Sequence, residues 1–113
     1  MNNNLPSDRR LYQLIYESKA TRSFGEEEIE TLLAMSRAAN ARRNITGILL
    51  YRHGTFTQVL EGDESEIRPL LEKIKRDPRH HNLVVRLEQS IDVRSFPNWS
   101  MAYSRKDLSD FLR

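Results

Sequence analysis

The sequence predicts an α+β fold of the ferredoxin-like type, with the element order βαββαβ followed by one additional C-terminal strand. Three observations support this. Two stretches, within residues 26–40 and 67–74, carry apolar residues at helical spacing, and several shorter ones are rich in the β-branched and aromatic residues of strands. A tight-turn signal, His53-Gly54, joins two of those strands. We therefore expect two helices on one face of a mixed sheet, in one domain of the 113-residue chain.

The N-terminal region leads into the first predicted strand. Residues 1–10 are polar and contain a proline, so we expect a flexible tail. Leu11 to Ser18 follows as a strand with two partly apolar faces. One face carries Tyr12, Leu14 and Tyr16, and the other carries Leu11, Gln13 and Ile15. This pattern is typical of a central strand that is covered on at least one side.

The first helix is predicted from its capping signals and its apolar stripe. Ser23 and Glu26 form a capping box, and the glutamates at 26–28 suit the positive end of the helix dipole. The stripe runs from Ile29 to Asn40. Asn40 has two interpretations, a C-terminal cap or a polar group on the buried face, and the sequence leaves both open.

The hairpin, Asn44 to Gly62, contains a polar residue on an apolar face. In its second strand Phe56, Gln58 and Leu60 share one face, while Thr57, Val59 and Glu61 share the other. A buried primary amide that lacks partners costs about 1–3 kcal/mol for each unmet group. We therefore expect a polar partner for Gln58 inside the protein.

The second half of the chain repeats the helix-then-strand order. Residues 63–65 can cap a helix with a stripe of Ile67, Leu70, Leu71 and Ile74; Pro69 is predicted near its first turn, and Asp77-Pro78 ends it. Leu83 to Ile91 is predicted to be a strand, and a last strand is predicted around Phe96, Trp99, Met101 and Tyr103. The folded domain is thus expected to cover residues 11–104, and residues 105–113 to begin a C-terminal helix.

Composition excludes or disfavours several functional classes. The chain has no cysteine, which excludes disulfides, thiolate catalysis and cysteinyl photoadducts. Its net charge of +2 gives no strong nucleic-acid or membrane signal, and no apolar run has the length of a membrane span. We expect a cytoplasmic protein.

The three histidines do not predict a metal site. His53 lies in the turn, and His80 and His81 are neighbours whose side chains point apart in an extended chain. Arg79 and His80 could contact an anion, although a solvated loop would also explain them.

A candidate pocket follows from residues that the fold can bring together beneath the helices: Tyr16, Asn40, Gln58, Trp99 and Met101. Individually, the two aromatic residues are more often core residues, and a methionine often fills gaps. Together, a hydroxyl, two amides and a large aromatic ring suit a flat heterocycle. A weaker alternative is RNA binding, because GTFTQVLEG faintly resembles an RNA-recognition strand.

At these residues the sequence resembles the BLUF domains, blue-light sensors that use a flavin. The similarity runs through LIYES, SRAANARRNITGILLY, FTQVLEG, RDPRHH and FPNWSM, in order. It implies a non-covalent flavin, normally FAD and alternatively FMN or riboflavin. The implied flavin contacts are Tyr16, Ile15, Asn40, Gln58, Ile74, Asp77, Arg79 and His80. Ala39 and Asn44 depart from the residues that are usual in the family.

The resemblance also implies a mechanism without catalytic turnover. Tyr16 would donate an electron and, through Gln58, a proton to the excited flavin; Gln58 would then rearrange and form a new hydrogen bond, and Trp99 and Met101 would transmit the change to an unidentified signalling partner. We also expect a homodimer, because the sheet face that carries Ile15 and Val59 needs a cover. The alternative is a non-photoactive module of the same fold that binds nucleic acid or protein.

Overall fold

A computed structural model describes residues 10–98 and 101–104, and it confirms the predicted fold class. The elements are β1 (Leu11–Ala20), α1 (Glu26–Arg42), β2 (Thr46–Arg52), β3 (Thr55–Asp63), α2 (Glu64–Lys75), β4 (His80–Ser90) and β5 (Ala102–Ser104). The strands form one sheet in the order β4-β1-β3-β2-β5. The β5 strand runs parallel to β2, and the other pairs are antiparallel, so the sheet is mixed as expected.

The β2–β3 hairpin lies at the centre of the fold and closes as the sequence predicts. Its two-residue turn places His53 at φ 53° and Gly54 at φ 75°, and Arg52 pairs with Thr55 across it. Positive φ at both central positions is the geometry of the turns that match strand twist. The pairing continues to Thr46 opposite Glu61, which fixes Gln58 opposite Leu49 in the middle of the sheet.

The alternation of side chains divides the core into two clusters, one on each face of the sheet. The cluster on the helix face combines strand residues with residues of both helices; it includes Tyr12, Leu14, Tyr16, Phe56, Leu60, Ile29, Leu33, Ile67 and Leu71. The cluster on the far face is smaller and consists of Ile15, Ile48, Leu50, Val59 and Phe96. Both helices therefore cover the same face, as predicted.

The ends of α1 differ from the prediction. The N-cap residue is Gly25 rather than Ser23, and its backbone N–H donates to Glu28 Oε1 at 3.1 Å. The C-cap is Arg43, so Asn40 lies within the helix and the cap interpretation of Asn40 is wrong. The left-handed residue of this corner is Asn44, at φ 55°. Asparagine tolerates that conformation better than most residues other than glycine.

The second half differs in its boundaries. Asp63 is the N-cap of α2 but makes no side-chain cap hydrogen bond, and Pro69 lies in the second turn rather than the first. The β4 strand begins at His80, so the predicted solvated loop at that residue is wrong. The last strand contains only three residues, and Phe96 lies before it in an irregular segment that packs on the far face.

Three predictions fall on residues outside the described ranges. They concern the tail at residues 1–9, the side chain of Trp99, and the helix predicted to begin after Ser104. Among the residues that the structure does describe, no helix is long and apolar enough to cross a membrane.

Candidate functional site

A cavity of about 210 Å³ lies between the two helices and the sheet. Its walls are mostly apolar, and polar groups come from every element that lines it. The lining residues include Leu32, Ser36, Ala39 and Asn40 from α1, Leu70, Lys73 and Ile74 from α2, Tyr16, Leu49, Phe56 and Gln58 from the central strands, and Asp77, Arg79 and His80 from the α2–β4 corner. Of the residues predicted to form a pocket beneath the helices, Tyr16, Asn40 and Gln58 line this cavity, Met101 does not, and Trp99 lies outside the described residues.

A chain of three buried groups begins at the floor of the cavity, where Tyr16 and Gln58 line it, and ends at Met101. The Tyr16 hydroxyl donates to Gln58 Oε1 at 2.5 Å, across the β1–β3 pair in which these residues are direct neighbours. Gln58 Nε2 donates to Met101 Sδ at 3.3 Å. These contacts supply the interior partner that the sequence required for Gln58. They also orient the amide, because its oxygen faces a hydroxyl donor and its nitrogen faces an acceptor.

The Tyr16 hydroxyl is held in its protonated form by its surroundings. Burial raises the pKa of Tyr16 well above its ordinary value, and the negative charge of Asp77 raises the pKa further. Both effects disfavour a phenolate, because a buried anion is poorly solvated. At neutral pH the hydroxyl therefore remains available as a proton donor to Gln58.

Asn40 brings a second amide to the same space from the opposite wall. It is buried, with 3% of its surface exposed, and its backbone carbonyl accepts hydrogen bonds from Arg43 and Ile45 at 3.1 and 2.9 Å. Those bonds fix the end of α1 against the start of the hairpin. The helix thus presents the Asn40 side chain to the cavity from a rigid element.

The α2–β4 corner contributes an ion pair and a cation to the cavity lining. Arg79 Nε donates to Asp77 Oδ1 at 2.9 Å, and this hydrogen bond holds the pKa of Asp77 below its ordinary value. Lys73 also lines the cavity, and within the described residues it makes no ion pair. The corner therefore offers one neutralised pair and one cation to a polar ligand group.

His80 is fixed by hydrogen bonds at both ring nitrogens. Nδ1 lies 2.7 Å from Ser18 Oγ, and Nε2 lies 2.6 Å from the carbonyl oxygen of Ile74. Since a carbonyl can only accept, Nε2 carries a proton in this arrangement. The ring joins β1, α2 and β4 at the cavity wall, and its centroid lies 6.4 Å from that of Tyr16.

The structure describes all eight residues that were predicted to contact a flavin, and seven of them line this cavity. The exception is Ile15, whose side chain packs with Val59 and Phe96 on the far face. Adjacent residues in a strand point to opposite faces, so Ile15 and Tyr16 cannot both reach the cavity with their side chains. Ile15 stays a predicted flavin contact, but its side chain lies on the face away from this cavity.

Sequence reasoning missed two further contributors. Ser18 bonds His80, and Arg37 Nε donates to the carbonyl oxygen of Met101 at 2.8 Å. Ser18 follows Tyr16 by two residues and therefore lies on the same face of β1. The alternation of side chains could have identified Ser18 as a residue near the site. No sequence signal links Arg37 to Met101, because they are 64 residues apart and belong to different elements.

The residues at the cavity fit a flavin. The Gln58 amide is 7% exposed, and within the described residues its nitrogen donates only to a sulfur atom, a weak acceptor. A buried donor of this kind suits a carbonyl or ring nitrogen of a bound heterocycle. The volume is below the range of about 300–1,000 Å³ typical of ligand sites, so it suits a fused ring system better than a whole dinucleotide.

Comparison with known families agrees with this geometry. The family model of the BLUF domains, described as sensors of blue light using FAD, matches residues 11–102. The chain belongs to the BLUF family. As a BLUF domain it is a flavin-based blue-light photoreceptor domain that signals to other elements, and the alternative of a non-photoactive binding module is not supported.

Curated relatives place similar BLUF sequences in longer proteins. The beta subunit of the photoactivated adenylate cyclase of Euglena longa is 33% identical over 102 residues, which are 89% of this chain and 12% of that protein. The blue light- and temperature-regulated antirepressor BluF of Escherichia coli K12 is 34% identical over 86 residues, 76% of this chain and 21% of that protein. This BLUF domain therefore spans a small part of the relatives that it matches.

Solved structures share the fold. The dark-state structure of the BLUF protein BlrB has a TM-score of 0.81 and 35% identity, with 85% of this chain and 73% of that chain covered. A bacterial light-regulated adenylyl cyclase has a TM-score of 0.81 and 39% identity, with 83% of this chain and 28% of that chain covered. At these identities the likeness extends beyond the fold to the family.

Proposed function

We propose that this BLUF domain senses blue light through a switch made of Tyr16 and Gln58, with Met101 as the first residue to respond. The observation that carries the proposal is the buried hydrogen-bond chain from the Tyr16 hydroxyl through the Gln58 amide to the Met101 sulfur. Both Tyr16 and Gln58 line the cavity that suits a flavin ring. Light absorbed by a flavin in this cavity would act on Tyr16 and Gln58, which are already joined by a hydrogen bond.

The chemistry of each group supports a definite role. A bound flavin supplies blue-light absorption and an excited state that accepts an electron and a proton and later returns both. Tyr16 would give up the electron, and its proton would pass to Gln58 Oε1 while Gln58 Nε2 gives up one proton in exchange, so that the side chain keeps no net charge. The Gln58 amide then exchanges its donor and acceptor sides, by rotation or by tautomerisation. Tyr16 would recover an electron and a proton, and the rearranged amide would persist as the signal.

The cofactor is proposed to be FAD, with FMN or riboflavin as substitutes that bind the same cavity through the ring system. Asn40 and Gln58 would hold the polar edge of the ring, and Leu32, Leu70 and Ile74 would cover its apolar surface. Lys73 supplies positive charge at the α2–β4 corner, which suits a phosphate group. The polar residues thus orient the ring and the apolar ones exclude water.

The output is proposed to be signalling to a downstream protein or domain, with no turnover by this chain itself. Cyclase activity is named for two of the similar proteins, of which this chain spans 12% and 28%. The described residues of this chain offer hydrogen-bond switching groups and no cluster of metal-ligating residues. We also propose that residues 11–104 are the folded sensor, that it forms a homodimer, and that it works in the cytoplasm.

The test is an absorption spectrum of the purified chain, reconstituted with FAD if needed. We expect an oxidised-flavin spectrum that shifts slightly to the red under blue light and returns in the dark. A chain that binds none of FAD, FMN and riboflavin would contradict the proposal, as would a bound flavin whose spectrum does not respond to light. Added single-stranded RNA should leave the spectrum and its recovery unchanged.

A further inference from the structure

Met101 is held at two points, and only one of them belongs to the switch. Its sulfur accepts the hydrogen bond from Gln58 Nε2 at 3.3 Å, whereas its carbonyl oxygen accepts one from Arg37 Nε at 2.8 Å. Arg37 lies on α1 between Ser36 and Asn40, two residues of the cavity wall. Met101 therefore connects the Gln58 amide directly to the helix that forms one side of the pocket.

The two contacts differ in strength. A thioether is a weak acceptor, while a guanidinium that donates to a carbonyl makes a charge-assisted hydrogen bond. The strand that follows Met101 is short, since β5 has only three residues and pairs along one edge with β2. Within the described residues, the contact with Arg37 is therefore a principal constraint on the backbone of Met101.

A change in the Gln58 amide acts on this arrangement. When the amide exchanges its two sides by rotation, its oxygen faces the Met101 sulfur, and two acceptors cannot form a hydrogen bond. Met101 is 1% exposed, so its side chain has little room to withdraw. The displacement must reach the backbone of Met101, where the bond to Arg37 resists it.

We propose that Arg37 is a positioning residue that couples the state of the Gln58 amide to helix α1 through the carbonyl oxygen of Met101. This inference rests on the proposed switching role of Gln58. Arg37 touches neither the Tyr16 hydroxyl nor the Gln58 amide in the described structure; it acts through Met101. Its bond favours the dark position of Met101 and thereby opposes the lit state.

The first experiment observes the Met101 carbonyl itself. The chain contains three methionines, at positions 1, 35 and 101, so a ¹³C label on methionine carbonyls marks few sites. We expect the light-minus-dark infrared spectrum of the flavin-loaded protein to contain an amide I band pair that moves with the label, and we expect Arg37→Leu to shift that pair. A spectrum without any label-sensitive band would overturn the proposal.

The second experiment measures dark recovery in three variants. Arg37→Leu removes the donor, Arg37→Lys keeps a charged donor, and Arg42→Leu removes an arginine of the same helix whose side chain makes no hydrogen bond within the described residues. We expect Arg37→Leu to keep the red shift and to recover about fivefold more slowly, because the lit state no longer strains a charge-assisted bond. Arg37→Lys should restore most of the wild-type rate, and Arg42→Leu should match the wild type.

The outcomes separate this inference from the proposed function. A wild-type protein that has no red shift removes the switch and this inference with it. A normal red shift with unchanged or faster recovery in Arg37→Leu overturns the role of Arg37 and leaves the Tyr16–Gln58 switch intact. If Arg37→Leu does not fold, as judged by circular dichroism and flavin retention, the labelled Arg37→Lys protein replaces it, and a band pair identical to that of the wild type would overturn the role of Arg37.

Discussion

At the scale of single residues, Gln58 differs from its buried neighbours because its partners do not use all of its hydrogen-bonding capacity. Its oxygen is bonded to the Tyr16 hydroxyl, but its nitrogen meets only a sulfur among the described residues. The sequence could predict this side chain, since an amide on an apolar strand face requires a partner. It could not predict Arg37, whose contact with Met101 depends on how two distant elements pack.

The first prediction tests the chemical roles of Tyr16 and Gln58. Tyr16→Phe keeps the ring and removes the transferable proton, while Gln58→Leu keeps approximate volume and removes the amide. Both variants should fold and bind flavin, and both should lose the reversible red shift completely, as measured by absorption before and after blue light. The physical reason is that neither phenylalanine nor leucine can exchange donor and acceptor roles.

Two control variants accompany this prediction. Tyr51→Phe removes the hydroxyl of another buried tyrosine, one that accepts a hydrogen bond from the Phe24 backbone and does not line the cavity. It should keep the red shift. Trp99→Phe should also keep the red shift but change the rate of dark recovery, because Trp99 is expected to respond to the switch and not to transfer the proton. A normal red shift in Gln58→Leu would show that the amide is not the switch.

At the scale of elements, the site depends on the register of the central hairpin. Gly47 on β2 lies against the β3 backbone so closely that a Cβ atom there would be 1.8 Å from the carbonyl oxygen of Val59. Val59 directly follows Gln58, so any displacement at Gly47 reaches the strand that carries the switch. The turn at His53 and Gly54 also depends on backbone geometry, because both residues have positive φ. The sequence predicted this turn.

The second prediction follows from this close approach. Gly47→Ala should lower the free energy of unfolding by at least about 2 kcal/mol, because the methyl group forces the β2 and β3 backbones apart. Flavin retention should fall with it. The measurement is urea unfolding followed by circular dichroism. Gly25→Ala is the control: its Cβ would approach only the Glu28 side chain, at 3.9 Å, and its cost should be about 1 kcal/mol or less. Equal stability of both variants would disprove the explanation.

At the scale of the whole molecule, the periodicity of the sequence predicted on which face of the sheet each strand residue lies. It placed Tyr16 and Gln58 on the helix face and Val59 on the opposite one, as the two core clusters confirm for Tyr16 and Val59 and the cavity lining confirms for Gln58. It did not predict the course of the irregular segment after β4. There the buried Glu61 carboxylate accepts hydrogen bonds from the backbone N–H groups of Ser95 and Phe96, at 3.0 and 2.8 Å. Such contacts follow from tertiary packing and leave no periodic pattern.

The far face of the sheet also decides how this domain is expected to associate. Phe96 packs there, so the chain itself covers part of the surface that was expected to need a partner. Apolar surface remains: Val84 and Leu87 of β4 are 44% and 39% exposed, and they pair with Glu17 and Ile15 on that same face. Exposed apolar residues on a sheet face favour association.

The last prediction is therefore a homodimer that uses this face. Light scattering of the wild-type protein should give twice the monomer mass. Replacing both Val84 and Leu87 with lysine should give a monomer, because two copies would bring four buried charges together across the interface. Thr31→Lys adds a lysine to the exposed surface of α1, on the side of the sheet that the helices cover, and should leave the dimer intact. A wild-type monomer at every accessible concentration, in the dark and under light, would exclude the dimer, whereas an unchanged dimer in the double variant would place the interface on another surface.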